Sequence, residues 1–247
     1  RRVRVAARLA FGPEGRARGW TVVSPFLRCL SLAAFAWGLA VTWQLHQAAK
    51  DGKPAETAES TRLVFVADLS PSMYLKDAGP EGKATRQQRM REEVEAVLMR
   101  VGGDLRYGVV GFYTEARSVV MDARDPELVR NVFDGLPVQY VMKPGSTDLG
   151  AAINAAVKVV APLPEKTVRL VIFTDGDTVP LQPILPRPKS VKDVLVLGVG
   201  DPRKGTFIAG HQSRQDAEVL ANVARALRGA YYDVNEKHLP TDALGDL

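Results

Sequence analysis

Short apolar runs recur along the chain, none with the three-to-four-residue period of an amphipathic helix. They are Leu63-Val64-Phe65-Val66-Ala67 and the segments 106–113, 168–174 and 191–198. Largely apolar runs of this length, rich in Val, Leu and Phe, predict strands buried on both faces. Further strands are predicted at 116–121, after a turn at Thr114-Glu115, and at 230–234. Between these runs the period changes. Thr85 and Gln88 have capping-box spacing ahead of Met90, Val94, Val97, Leu98 and Val101, which share one helical face that Gly102-Gly103 closes. Asp125 and Pro126 open a second helix ended by Gly135. A third, over 147–160, turns Leu149, Ile153, Val157 and Val160 inward. Ser213 is read as the start of a fourth, with Leu220, Val223, Ala224 and Leu227 on its apolar side and Gly229 at its end. Residues 74–84 read as a polar loop, 177–190 as a Pro-rich loop, and 204–212 as a small hairpin. Strands alternating with helices predict an α/β fold: a doubly wound, mainly parallel six-stranded sheet with helices on both faces.

The stretch before this domain follows a different pattern. Residues 25–45 are almost wholly apolar, with Arg28 the single charge. That length meets the roughly 20 residues a helix needs to cross a bilayer. A buried core helix would carry a polar face, and His46-Gln47-Ala48-Ala49 is a poor signal-cleavage site, so a transmembrane helix is the better reading. Arg1, Arg2, Arg4, Arg8, Arg16, Arg18 and Arg28 cluster on one flank, with Glu14 their one acidic neighbour. Basic residues favour the cytoplasmic side, which puts the following domain outside the cytoplasm. The expected organisation is a basic cytoplasmic segment (1–24), a membrane helix (25–45), a tether (46–60), the folded domain (61–239) and a tail (240–247). A first residue of Arg rather than Met fits a fragment or a processed chain.

At 247 residues and 46% hydrophobic, the chain can bury one full core and more. The net charge of +5 invites a nucleic-acid reading, but the arginines gather before the domain and no aromatic-interleaved basic stripe follows, so no nucleic-acid partner is expected. Cys29 is the one cysteine, which excludes an internal disulfide. His46, His211 and His238 have no metal-ligand spacing and read as ordinary surface or interfacial residues.

Candidate chemistry gathers where strands end. The first strand runs into Asp68-Leu69-Ser70-Pro71-Ser72, placing one acid and two hydroxyls at the carboxyl edge of the sheet, where open α/β sheets take their ligands. Such oxygens suit Mg2+, although Ser and Asp also crowd strand ends as turn formers. Two later segments shift the balance: Thr147 at a helix start, and Thr174-Asp175-Gly176 at the end of another strand.

These three motifs, in this order, resemble the metal-ion-dependent adhesion site of von Willebrand factor type A (vWA) domains, over about residues 61–239. The resemblance implies that Ser70, Ser72 and Thr147 ligate Mg2+ through their hydroxyls, with Asp68 and Asp175 acting at the metal directly or through water; Mn2+ and Ca2+ are alternatives. It further implies a binding module without chemistry of its own, in which a carboxylate from a protein partner completes the metal's shell. The loops at 74–84, 114–116, 140–144 and 177–190 would choose that partner. A basic segment, a membrane helix, a tether and such a domain are similar to the bacterial aerotolerance (Bat) membrane proteins, which are linked to MoxR-type AAA+ ATPases. That places the chain in the inner (cytoplasmic) membrane as a single-pass protein with its domain on the periplasmic side. Bat proteins often add a membrane helix on each side, and neither is in this sequence.

Competing readings stay open at this level. Asp175-Gly176-Asp177-Thr178-Val179 fits the D-x-D-x-V start of haloacid-dehalogenase-type phosphatases, with Asp175 as phosphoryl acceptor and Asp177 as acid/base. No convincing acidic pair follows downstream. Gly198-Val199-Gly200 hints at a dinucleotide loop, but Pro202 breaks the fingerprint. Neither Ser70 nor Ser72 has a motif histidine to activate it as a nucleophile. A vWA domain with a vestigial metal site is the remaining alternative.

Overall fold

The computed structural model describes residues 2–13, 19–50, 60–135, 145–178, 182–208 and 210–244. Most of the expected tether (51–59), the expected partner loop 140–144, part of the Pro-rich loop (179–181) and residues 245–247 lie outside the described residues, as do Arg1, Glu14, Arg16 and Arg18. The chain divides into two compact units, residues 1–57 and 58–247.

The first unit holds α1 (Arg2–Phe11) and α2 (Gly19–Lys50). Within α2, Val23–Gln47 is long and apolar enough to cross a membrane. The helix outruns the apolar stretch at both ends because helix formation is cooperative once begun. Two of its hydroxyls are satisfied locally: Ser31 Oγ donates to the Arg28 carbonyl (2.9 Å) and Thr42 Oγ1 to that of Gly38 (2.8 Å). Such back-bonding lets polar side chains sit in an apolar medium without a partner elsewhere.

In the second unit the apolar runs form the strands expected of them: β1 (Arg62–Asp68), β4 (Arg106–Phe112), β5 (Ala116–Ala123), β6 (Val168–Thr174), β7 (Val191–Gly198) and β10 (Ala230–Asp233). They make one sheet in the order β10-β7-β6-β1-β4-β5, parallel except for β5. α3 (Arg86–Arg100) and α4 (Pro126–Gly135) contribute to the core on one face, α5 (Leu149–Val160) and α6 (Ala217–Ala226) to that on the other. Alternation along β1 sorts the two cores. Leu63, Phe65 and Ala67 join Met90, Val94, Val97 and Phe133, while Val64 and Val66 join Leu149, Ile153, Leu220 and Val223. Phe65 lies edge-on to Phe133 and stacked with Phe173, at centroid distances of 6.1 and 6.4 Å.

The topology fixes where a ligand can sit. From β1 the chain winds outward through β4 and β5, then returns to pair β6 on the other flank of β1. The winding therefore reverses between β1 and β6, and such a switch point opens a crevice at the strands' carboxyl ends.

Three local expectations are corrected. The polar loop follows a 3-10 turn (Pro71–Tyr74) and holds most of a small ribbon, β2 (Lys76–Ala78) with β3 (Ala84–Thr85). α5 begins at Leu149, because the Asp148 side chain accepts from the Ala151 amide (2.8 Å) and caps it. Ser213 does not start a helix: it closes the hairpin β8 (Thr206–Ile208) with β9 (His211–Ser213), and Asp216 caps α6. The expected capping box at Thr85 and Gln88 is present.

Candidate metal centre

β1 and β6 run side by side in register, with Ala67 beside Phe173, so their carboxyl ends emerge at one level. Asp68 ends β1 fully buried. Its two oxygens are used separately: Oδ1 accepts from the Ser70 amide (2.9 Å) and Oδ2 from Thr174 Oγ1 (2.6 Å). Asp175, the first residue past β6, is equally enclosed. Its Oδ1 accepts from the Asp177 amide (2.9 Å), and its Oδ2 from Arg86 Nη1 (2.6 Å). Ser70 Oγ and Ser72 Oγ are 2.9 Å apart, and Ser72 also hydrogen-bonds to Asp175.

Thr147 arrives from the other side of the switch point. Tyr113 and Thr178 hold its segment in place. The Tyr113 hydroxyl donates to the Gly145 carbonyl (2.5 Å), and its carbonyl accepts from the Asp148 amide (3.1 Å). Thr178 Oγ1 donates to the Thr147 carbonyl (2.8 Å) and accepts from the Leu149 amide (3.1 Å). Ser70, Ser72 and Thr147 thereby line one cleft of about 380 Å³, together with Pro71, Tyr113, Asp177, Thr178, Ile208 and His211. Of the five residues singled out in the sequence, three face this cleft and the two acids lie at the strand ends carrying it.

Electrostatics sets the character of the site. Burial, and then the charge of Asp175, push the Asp68 carboxyl up to about 7, against the bonds from Ser70 and Thr174. Burial raises Asp175 as well, with the Arg86 guanidinium as the main opposing influence. Arg86 is the nearby cation, and it is shared. Its Nε and Nη2 grip both oxygens of Asp77 (2.9 and 2.6 Å), and Nη1 also reaches Ser213 Oγ (2.9 Å). Arg86 thus pairs Asp77 and Asp175, and among the described residues Asp68 has no ion-pair partner, which leaves the pocket short of positive charge. Among the described residues no three His, Cys, Asp or Glu side chains cluster, so any cation here would depend on hydroxyls. Two enclosed carboxylates with a surplus of negative charge and three hydroxyls at an open cleft fit a small hard dication.

Arg86 and Asp77 were not singled out from sequence, and Thr174 and Thr178, though within quoted motifs, were given no role of their own. Arg86 left one signal: it falls on the same helical stripe as Met90 and Val97, where an apolar residue is the norm. His211, read as an ordinary histidine, stands at the cleft with Nε2 3.1 Å from Asp177 Oδ2.

Residues 63–177 match the family model described as the von Willebrand factor type A domain. The chain carries a vWA domain. Among solved structures its fold resembles that of an aerotolerance-related membrane protein from Bacteroides fragilis (TM-score 0.56, 18% identity, covering 75% of this chain and 94% of that one). It resembles equally BatB from Bacteroides thetaiotaomicron (TM-score 0.59, 18% identity, 75% and 95% covered). No curated protein matches the sequence. At this identity the two structures establish the fold, and the vWA domain here has the architecture of theirs.

Proposed function

We propose that this vWA domain is a membrane-anchored interaction module whose cleft holds Mg2+, with Mn2+ or Ca2+ as substitutes, and that a protein partner binds through it. In this reading Ser70, Ser72 and Thr147 hold the cation through their hydroxyls, and Asp68 and Asp175 act on it directly or through water. Bound there, Mg2+ supplies a Lewis-acid position for a carboxylate from the partner. The observation that carries the reading is the charge imbalance under the cleft: the one guanidinium of Arg86 pairs Asp175 and Asp77, while the buried Asp68 is held by neutral donors, the Ser70 amide and Thr174 Oγ1. The chain's own residues do the positioning. Thr174 and the Ser70 amide orient Asp68, Arg86 orients Asp175, and Thr178 ties the Thr147 segment to the loop after β6.

The apolar segment 25–45 anchors the chain in the inner membrane, and the arginines before it keep that flank cytoplasmic, so the vWA domain faces the periplasm. The likeness to Bat proteins supports work alongside a MoxR-type AAA+ ATPase system. The test is a pull-down from solubilised membranes with the full chain, in Mg2+ and in chelator. Partner retention should need Mg2+ and be lost in a folded Asp68→Ala variant. Retention that is indifferent to chelator would sink the adhesion reading in favour of a vestigial site. Topology is checked separately with reporter fusions at Leu247, where activity confined to the cytoplasm would contradict the orientation.

A further inference from the structure

The β8–β9 hairpin borders the cleft, and its strand alternation explains how. Thr206 pairs with Ser213, Phe207 with Gln212, and Ile208 with His211. Successive residues on a strand point to opposite faces, so Thr206, Ile208, His211 and Ser213 share one face, and Phe207 and Gln212 the other. The shared face is bonded to the candidate metal centre at its root. Arg86 Nη1 donates to Ser213 Oγ (2.9 Å), Nη2 to the Ser213 carbonyl (3.2 Å), and Thr206 Oγ1 to Asp77 Oδ2 (3.3 Å). Gly200 makes room for this: a Cβ there would lie 2.5 Å from Arg86 Nε, and its φ of +98° is one that other residues rarely adopt. At the hairpin's tip, Ile208 and His211 line the cleft, and Asp177 holds His211 over it. One guanidinium thus pairs the acid beneath the cleft and fastens the wall beside it.

We propose that the β8–β9 hairpin is the recognition wall of the cleft, and that it selects a protein segment whose acidic residue stands next to a bulky aliphatic one. This rests on the reading that the acid is drawn to a cation among Ser70, Ser72 and Thr147. Among the described residues that line the cleft with those hydroxyls, the aliphatic side chains are Pro71 and the half-buried Ile208, and Tyr113 adds a ring whose hydroxyl is held by Gly145. An aliphatic neighbour of the acid covers Ile208 and takes both side chains out of water, where a polar neighbour would leave Ile208 wet. Phe207, 74% exposed on the outer face of the same strand, takes no part.

The test uses the full chain in nanodiscs and a phage-displayed random dodecapeptide library, bound in Mg2+ and eluted with EDTA. Eluted peptides should carry Asp or Glu beside Leu, Ile, Val or Met. They should bind Ile208→Ser at least about tenfold more weakly than the parent, and Phe207→Ser as well as the parent. The Mg2+-induced rise in melting temperature should be the same in Ile208→Ser as in the parent. EDTA-eluted acidic peptides with random neighbours, or with equal affinity for Ile208→Ser, overturn the hairpin's role and leave the cation reading standing. An equal loss in Ile208→Ser and Phe207→Ser overturns it too. If no peptide elutes with EDTA from the parent, the cation reading fails, and the inference with it.

Discussion

Arg86 and Arg89 stand one turn apart on α3, and neither guanidinium is open to solvent. Arg86 reaches up to Asp77, Asp175 and Ser213, under the cleft. Arg89 reaches toward the end of the chain. Its Nε donates to the Val234 carbonyl (2.7 Å), and its Nη2 lies 2.8 Å from Glu93 Oε1, a close contact rather than an aligned hydrogen bond. Glu93, itself fully buried, accepts from the Leu239 amide (3.1 Å) and contacts His238 Nδ1. Both arginines meet buried acids, so burial and pairing alone mark neither as functional. The difference is what lies beyond the acid. Beyond Glu93 is the returning chain, and the network is a clasp that closes 234–239 onto α3. Beyond Asp175 are Ser72 and the cleft, where charge can still be added.

Removing either arginine tests that distinction most severely. In chelator, Arg86→Met and Arg89→Met should each cost about 3–5 kcal/mol, because each strands a buried carboxylate. Saturating Mg2+ should then separate them. Arg89→Met should gain from Mg2+ as much as the parent does, whereas Arg86→Met should gain about 1–2 kcal/mol more, since the cation replaces a lost neighbouring charge. Urea melts with and without Mg2+ measure both, and equal gains would break the comparison.

The next effect is on pH. The Asp68 carboxyl is raised from 3.8 to about 7, so the folded domain holds more protons than the unfolded chain between those values. Its contribution is therefore complete below the ordinary carboxylate range and is lost as pH rises through about 7. In chelator, unfolding at pH 5 should need about 2–4 kcal/mol more than at pH 8 on account of this group. Asp68→Asn should flatten that slope, Arg89→Met should leave it, and Mg2+ should reduce it by favouring the ionised form. A parent slope that survives Asp68→Asn would assign the effect elsewhere.

Cation binding itself should be smaller. At a hundredfold excess over Kd, Mg2+ should stabilise the parent by about 2.7 kcal/mol and Asp68→Ala not measurably, read as a shift in thermal melting. The smallest change is expected at the rim. Asp177→Ala should cost below about 1 kcal/mol, because its pair with His211 is partly solvated, and should keep the full Mg2+ shift. The same variant separates adhesion from phosphoryl transfer, in which Asp177 as acid/base would be indispensable. A phosphatase activity in the parent that vanishes in Asp177→Ala would revive that alternative.

Much of this was readable along the chain. Strands enclosed on both faces are apolar over their enclosed length, so β1, β6 and β7 show as runs at 63–67, 170–173 and 194–197. Caps depend on neighbours a few residues away, which is why Thr85 with Gln88 and Asp125 with Pro126 were legible. Asp68, Ser70, Ser72 and Asp175 drew notice for a local reason too, each standing at or just past the end of an apolar run, and Thr147 because it precedes a helix. Ser213 was misread because its partner is distant: a hydroxyl before an apolar helical stripe looks like a cap, and here it answers to Arg86, 127 positions away.

The sequence by itself determined the α/β alternation, the helical caps and the strand-end residues, because periodicity and capping are local properties of a chain. The tertiary structure alone decided which charges meet. Arg86 and Arg89 are two basic residues on one helix, and no spacing distinguishes them. Their roles follow from β6 returning beside β1, which brings Asp175 over one, and from the chain after β10 folding back onto the other. Long-range electrostatics depends on where strands are placed in the sheet, and that order is a property of the whole fold.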